Sequence, residues 1–155
     1  MKKLAIVISS GFGSGFLKPG PGTWGTAVAF LMTTLVWQYD IFDLHLLAVI
    51  LSILFYLLGL WSIKALPSDW VDDDQRIVVD EMIGYWVTLI WIPMSWTSLI
   101  LAFILFRLFD IFKPLGIRRF DNIKTSWAVL VDDVIAGVYA NLTLRIILIL
   151  LAWQQ

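Results

Sequence analysis

The sequence predicts an all-α protein, a polytopic membrane helical bundle of about five membrane-associated helices that includes a short hairpin. Three observations carry that prediction. Hydrophobic residues make up 60% of the chain, and the mean hydropathy of +0.87 lies far above that of a soluble globular domain. Long apolar runs alternate with short polar connectors. The nine tryptophans suit the zone where hydrocarbon meets headgroups, which indole rings favour. By length, the 155 residues form one domain, 1–155.

In chain order, Lys2 and Lys3 precede a short apolar stretch at 4–9, too brief for a secretory signal and followed by Gly- and Pro-rich sequence instead of a small-residue cleavage site. The first spanning run is 23–39, opened by Pro21-Gly22-Thr23 with Thr23 as the expected N-cap. A polar connector at 40–43 leads into 44–66, long enough to cross hydrocarbon that needs ~20 helical residues. Pro67 ends it, and 68–76 is an acidic loop in which Asp72-Asp73-Asp74 reads as a solvated turn. Two shorter runs, 77–92 and 96–112, are joined at Pro93-Met94-Ser95 and read as the hairpin. A basic loop at 113–127 precedes the last run, 128–153.

Lysine and arginine set the orientation, because short cytoplasmic loops are enriched in them. With five spans, Lys2, Lys3, Lys18, Lys64, Arg76, Arg107, Lys113, Arg118, Arg119 and Lys124 fall on one side, and Arg145 alone does not. That side is expected to be cytoplasmic. The same threading brings Asp80, Glu81, Arg107, Asp110, Asp132 and Asp133 to the cytoplasmic face, although none of the acids was used to derive it.

Composition narrows the chemistry. A net charge of −1 gives no polyanion-binding signature, so nucleic acid is not an expected partner. Cysteine is absent, which removes thiolate nucleophiles, zinc–sulfur sites and disulfides together. The lone histidine, His45, has no second histidine with which to build a metal site or an acid–base pair. Oxygen ligands and cationic nitrogens remain.

Asp132-Asp133 stands shortly before Gly137 in an apolar helix, and Asp80-Glu81 shortly before Gly84 in another. Ionisable groups in such segments mark a pathway or a site, although acids in a first helical turn also complement the macrodipole. Adjacent helical side chains diverge by about 100°, so one acid of each pair can be a ligand while the other orients or acts as base. Arg107, Asp110 and Lys113 recur at spacing three and share a helical face. Such a stripe binds a phosphate while orienting an acid, or forms an ion-pair ladder whose cations snorkel to headgroups. Arg118 and Arg119 add phosphate or lipid contacts. The glycines at 11–15 and 20–22, with Lys18 between them, leave backbone N–H groups open before a helix start, a setting for anions or simply a flexible entry loop. Carboxylates without histidine or cysteine favour a hard cation such as Mg²⁺, completed by water and substrate phosphate.

These blocks, in this order, resemble the phosphatidylglycerophosphatase A family. The resemblance covers residues 11–140: Gly-Phe-Gly-Ser-Gly at 11–15, Pro-Gly-Thr-Trp-Gly-Thr at 21–26, Ile77-Val78-Val79-Asp80-Glu81 with Gly84 and Trp86, Phe106-Arg107 with Asp110, Lys113-Pro114, Ile117-Arg118, Asp121, and Asp132-Asp133 with Ala136-Gly137. It implies a compact all-helical unit that removes the terminal phosphate of phosphatidylglycerophosphate with Mg²⁺, leaving phosphatidylglycerol and inorganic phosphate. The expected setting is the bacterial inner (cytoplasmic) membrane, multi-pass, with the active site facing the cytoplasm and an anionic phospholipid as substrate among membrane lipids. Asp80, Glu81, Asp110, Asp132 and Asp133 are the catalytic candidates. Asp80, Glu81, Asp132 and Asp133 are the metal candidates, with Asp110 in or beside that shell. Lys18, Thr23, Arg107, Lys113 and Arg118 are the phosphate-binding candidates, and Glu81 and Asp133 are the first choices for activating water.

Other readings differ in what they require. A small ion-coupled transporter or channel subunit needs acids distributed through bilayer depth. A phosphatase of a different lipid phosphate keeps the same site, and a non-enzymatic assembly protein needs only a small-residue helix interface.

Overall fold

A computed structural model describes residues 1–67, 69–70, 74–114 and 126–153. Six α-helices form the described chain: α1 (Lys2–Ser9), α2 (Pro21–Gln38), α3 (Leu44–Lys64), α4 (Val79–Leu89), α5 (Trp96–Phe112) and α6 (Ser126–Ala152), with a 3₁₀ turn at Ser14–Phe16 and no strand among the described residues. Two of them, α3 and the Trp127–Ala152 part of α6, are long and apolar enough to cross a membrane. The outward surface agrees with a lipid setting: Leu31, Leu35, Ile50, Ile53, Leu57, Ile100, Ile104, Leu142, Ile146 and Ile149 are all exposed. Soluble monomers rarely expose apolar surface on that scale, which marks a membrane or partner contact.

Local chemistry sets most boundaries. Asp43 caps α3 by accepting a hydrogen bond from the Leu46 N–H at 2.8 Å, and Ser95 caps α5 by accepting from the Ser98 N–H at 3.0 Å. The start of α2 differs from expectation. Gly20, at φ +69°, is the N-cap and Pro21 occupies the first helical position, where a fixed φ and a missing N–H carry no penalty. Thr23 therefore lies inside the first turn and caps nothing. Helix α4 is also shorter than the apolar run 77–92, because Ile77 and Val78 are buried in non-helical backbone and Trp91 adopts a positive φ of 54°. The stretch before Ser10, not read as an element in the sequence, forms α1, tied to α3 where the Ser9 hydroxyl donates to the Ser62 hydroxyl at 2.9 Å.

Helix α4 is the axis of the molecule. Val79, Met82, Ile83, Gly84, Tyr85, Trp86, Thr88 and Leu89 are buried, and α2, α3, α5 and α6 surround them, with α6 packing most extensively. Apolar burial gives little drive between helices in lipid, where close packing and interhelical hydrogen bonds must serve. Here both are present. The Trp86 Nε1–H donates to Thr33 Oγ1 at 3.2 Å. A Cβ on Gly137 would strike the Gly84 carbonyl oxygen, and one on Gly84 would strike the Phe106 ring, so α4 and α6 touch backbone to backbone.

The far end of α4 is closed by side chains of α6. Asn141 Nδ2 donates to the carbonyls of Thr88 and Ile90, each at 2.8 Å, while Arg145 donates to Asn141 Oδ1 at 2.8 Å and to the Ile90 carbonyl at 2.9 Å. Arg145, the lone exception in the charge distribution, is thus a helix cap.

Gly137→Val should force α4 and α6 apart and cost about 1–3 kcal/mol, read as a lowered thermal unfolding midpoint in detergent. An unchanged midpoint would mean that the crossing tolerates a side chain.

Candidate metal and phosphate site

The glycine crossing positions the acids. Asp80 precedes Gly84 by four residues and Asp133 precedes Gly137 by four, so each acid lies on the same helical face as its glycine, one turn away. Close backbone approach at the glycines therefore brings the acids together. One carboxylate oxygen each from Asp80, Glu81 and Asp133 lie within 4.8 Å of one another.

Asp132 is directed elsewhere. Its Oδ2 accepts from Lys113 Nζ at 2.6 Å, and its Oδ1 accepts from the Asp133 N–H at 3.0 Å. Both residues of the pair are buried, at 6% and 3% exposure, but Asp133 alone joins the carboxylate cluster with α4. This resolves the divergence expected of neighbouring helical side chains: Asp132 holds the Lys113 ammonium at the end of α5, and Asp133 meets the acids of α4.

Helix α5 contributes its last turn. Arg107 Nη1 lies 2.5 Å from Asp110 Oδ2 and 3.7 Å from Glu81 Oε1. Those approaches are close but not aligned as hydrogen bonds, and Arg107 Nε and Glu81 Oε2 are likewise buried without a hydrogen-bond partner. Asp110 also stands beside Asp133. The first turn of α2 closes the group, because a Cβ on Gly22 would fall on Glu81 Oε1 and press the Arg107 guanidinium.

Together these groups line a cavity of about 500 Å³. Asp74 aside, its wall carries five carboxylates and two cations: Asp80, Glu81, Asp110, Asp132 and Asp133 against Arg107 and Lys113. A doubly charged phosphate monoester entering such a wall meets net negative charge. Three converging carboxylate oxygens with an unsatisfied Glu81 oxygen among the acids suit a hard divalent cation.

The remaining candidates separate. Lys18 is exposed and lines a neighbouring cavity. Thr23 is exposed on the first turn of α2 and is not among the residues lining either cavity. Arg118 lies outside the described residues, as do Asp72 and Asp73. Asp74, read in the sequence as part of a solvated turn, is instead a built wall of the site. Arg76 donates to its Oδ1 at 2.9 Å and its Oδ2 at 2.6 Å, and the guanidinium carbon sits 4.0 Å from the Trp70 ring centroid. The Arg76 hydrogen bonds hold the Asp74 carboxyl below its ordinary range. Asp74 and Gln75 carried no expectation of a site role, and only the Asp-x-Arg spacing at 74–76 offered a signal, whereas Gly22 was expected only as part of an anion-binding loop.

Comparison with known proteins identifies the family. The family described as phosphatidylglycerophosphatase A matches residues 7–148. The chain belongs to the phosphatidylglycerophosphatase A family. The match takes in every described member of the acid cluster. Among curated relatives, a protein of Bacteroides thetaiotaomicron, named provisionally as a phosphatidylinositol-3-phosphatase, is 40% identical, covering 92% of this chain and 92% of its own length. The phosphatidylglycerophosphatase A of Haemophilus influenzae is 36% identical over 90% of this chain and 89% of its own length. That of Escherichia coli is 37% identical over 85% of this chain and 76% of its own length. No solved structure matches the chain.

Gly22→Ala should disturb the Glu81–Arg107 contact directly. The expected result is a loss of about 1–3 kcal/mol in stability read by thermal unfolding, whereas Gly13→Ala, where a Cβ meets nothing within 4 Å, should be limited to the strain of its φ of 93°.

Proposed function

We propose that the chain is a Mg²⁺-dependent lipid phosphatase that hydrolyses phosphatidylglycerophosphate to phosphatidylglycerol and inorganic phosphate. Its setting is the cytoplasmic face of the bacterial inner membrane, and α2 to α6 supply five membrane-associated helices, with α4 and α5 as the short hairpin. The observation that carries the reading is the junction of α4 and α6, where Asp80, Glu81 and Asp133 converge in the same cavity as Arg107 and Lys113. Family membership supports the substrate, since the Haemophilus influenzae and Escherichia coli relatives are named for it. The one-sided distribution of lysine and arginine supports the orientation.

In this reading Asp80, Glu81 and Asp133 hold the cation, with Asp110 beside them. When bound, Mg²⁺ neutralises charge on the phosphoryl group and polarises its oxygens. Arg107, fixed between Asp110 and Glu81, faces the transferred phosphoryl group with N–H groups that are not engaged in hydrogen bonds. Glu81 Oε2, buried without a hydrogen-bond donor, accepts the proton of the attacking water. Attack at phosphorus breaks the P–O bond to the glycerol, and the departing alkoxide takes up the proton that Glu81 received from the water, giving phosphatidylglycerol. Lys113 and Asp132 act as a pair: the carboxylate holds the ammonium at the cavity wall, where its charge assists phosphate entry. Clustering of the acids in one cavity disfavours an ion path, which needs them along the bilayer depth.

A second substrate is favoured by one observation: the Bacteroides thetaiotaomicron relative, at 40% identity, carries a name that points to phosphatidylinositol 3-phosphate. The same acids would serve that phosphomonoester.

Purified protein in detergent should release phosphate from phosphatidylglycerophosphate with Mg²⁺ and not with a chelator. Asp80→Asn and Asp133→Asn should each lower the rate by at least about a hundredfold while remaining folded. Full turnover by either variant would remove that acid from the site. Release from phosphatidylinositol 3-phosphate alone would establish the second substrate instead.

A further inference from the structure

Lys18 lines a cavity of about 370 Å³ beside the carboxylate cavity, together with Phe16 and Arg76. Pro21, Asp74 and Gln75 wall both spaces, so a single ridge separates them. Their charges are opposite in character. In the second cavity Arg76 is matched to Asp74 by the two hydrogen bonds at 2.9 and 2.6 Å. No ion pair engages Lys18 among the described residues. Exposed apolar side chains adjoin it: Phe16, 52% exposed, lines the same cavity, and Leu17, 48% exposed, is its chain neighbour.

The acids with Arg107 and Lys113 line one cavity, the shared ridge adjoins it, and Lys18 lines the next together with the exposed Phe16 ring. A phosphatidyl-polyol phosphate has the same order: terminal phosphomonoester, polyol, phosphodiester, acylated glycerol. We propose that the Lys18 cavity binds the phosphodiester of the lipid substrate and that Lys18 is a specificity-determining residue. This rests on the lipid-phosphatase reading above. It moves Lys18 away from the phosphoryl group that is cleaved and gives it a different phosphate. The assignment also serves either named substrate, since phosphatidylglycerophosphate and phosphatidylinositol 3-phosphate both carry a diester as well as a monoester.

Lysine is suited to hold a diester here, because its flexible stem can lie along apolar surface while the ammonium reaches the single negative charge. A lipid whose monoester is attached directly to the diacylglycerol lacks that diester. Discrimination between the two kinds of lipid should therefore depend on residue 18.

The test compares phosphate release from phosphatidylglycerophosphate and from phosphatidic acid in mixed micelles, for wild type, Lys18→Ala and Lys18→Arg. Lys18→Ala should raise KM for phosphatidylglycerophosphate roughly tenfold with little change in kcat, the scale of one charge-assisted hydrogen bond. The ratio of kcat/KM between the two lipids should fall by the same factor, and Lys18→Arg should restore most of it. A loss shared equally by both lipids, or an unchanged ratio, would overturn the diester assignment and leave the phosphatase reading intact. Wild type that releases phosphate from neither these lipids nor phosphatidylinositol 3-phosphate would overturn the phosphatase reading, and the diester assignment with it.

Discussion

The contact on which fold and site both depend is the backbone crossing of α4 and α6 at Gly84 and Gly137. Between helices in lipid, apolar burial is nearly neutral, so a crossing is held by close van der Waals approach and by whatever polar groups meet there. At this crossing the Thr88 hydroxyl is shared between the carbonyls of Gly84 at 2.9 Å and Gly137 at 3.3 Å. One turn toward the N-terminus of each helix stand Asp80, Glu81 and Asp133. A side chain at either glycine would therefore separate the helices and the carboxylates together. The packing that holds the bundle is the packing that gathers the acids.

Gathering them works against stability. Two like charges about 4 Å apart repel by roughly 4 kcal/mol at an effective dielectric near 20, and several carboxylates share this cavity. Placement offsets part of that repulsion. Asp80 and Glu81 lie in the first turn of α4, where the macrodipole favours negative charge, Lys113 bonds Asp132, and Arg107 stands between Asp110 and Glu81. What is left uncompensated is centred on Asp80, Glu81 and Asp133, the three whose oxygens converge. Stability alone gives no reason to place surplus charge at a helix crossing, whereas the proposed cation site would use it.

The ingredients of this centre are more legible in the sequence than their division of labour. The recurrence of an acid pair shortly ahead of a glycine, with Asp80 four residues before Gly84 and Asp133 four before Gly137, is a helical spacing visible without coordinates. Ser95 and Asp43 turn out to cap helices where only a turn and a polar connector were expected, whereas the apolar runs follow from equally local rules. The split between Asp132 and Asp133 does not, because divergence of neighbours says that they part but not which faces α4. Thr23 is a good cap in isolation, yet Gly20-Pro21 starts the helix earlier through backbone conformation, which hydroxyl chemistry does not reveal. Gly22 reads in the sequence as an anion-loop glycine, whereas its place in the structure is to leave room for the Glu81 carboxylate from another helix. Asp74 belongs with these, a loop acid whose role depends on Arg76 and Trp70 folding back around it.

The far end of α4 answers a constraint set by the bilayer. With 11 residues and a rise of about 1.5 Å per residue, α4 is roughly 16 Å long, about half of a ~30 Å hydrocarbon core. On the proposed topology, the chain after Leu89 therefore carries non-helical backbone at depth, which is tolerated only where protein satisfies its polar groups. Asn141 and Arg145 do so, with three hydrogen bonds to the carbonyls of Thr88 and Ile90. Their presence on α6 means that α4 is fixed to the same partner twice, by glycine contact near the acids and by side-chain donors at its end. Sliding or rotation of α4 against α6 would break both attachments at once. The carboxylates are thus carried by a helix whose register is pinned at two points, the kind of support a site of converging charges needs.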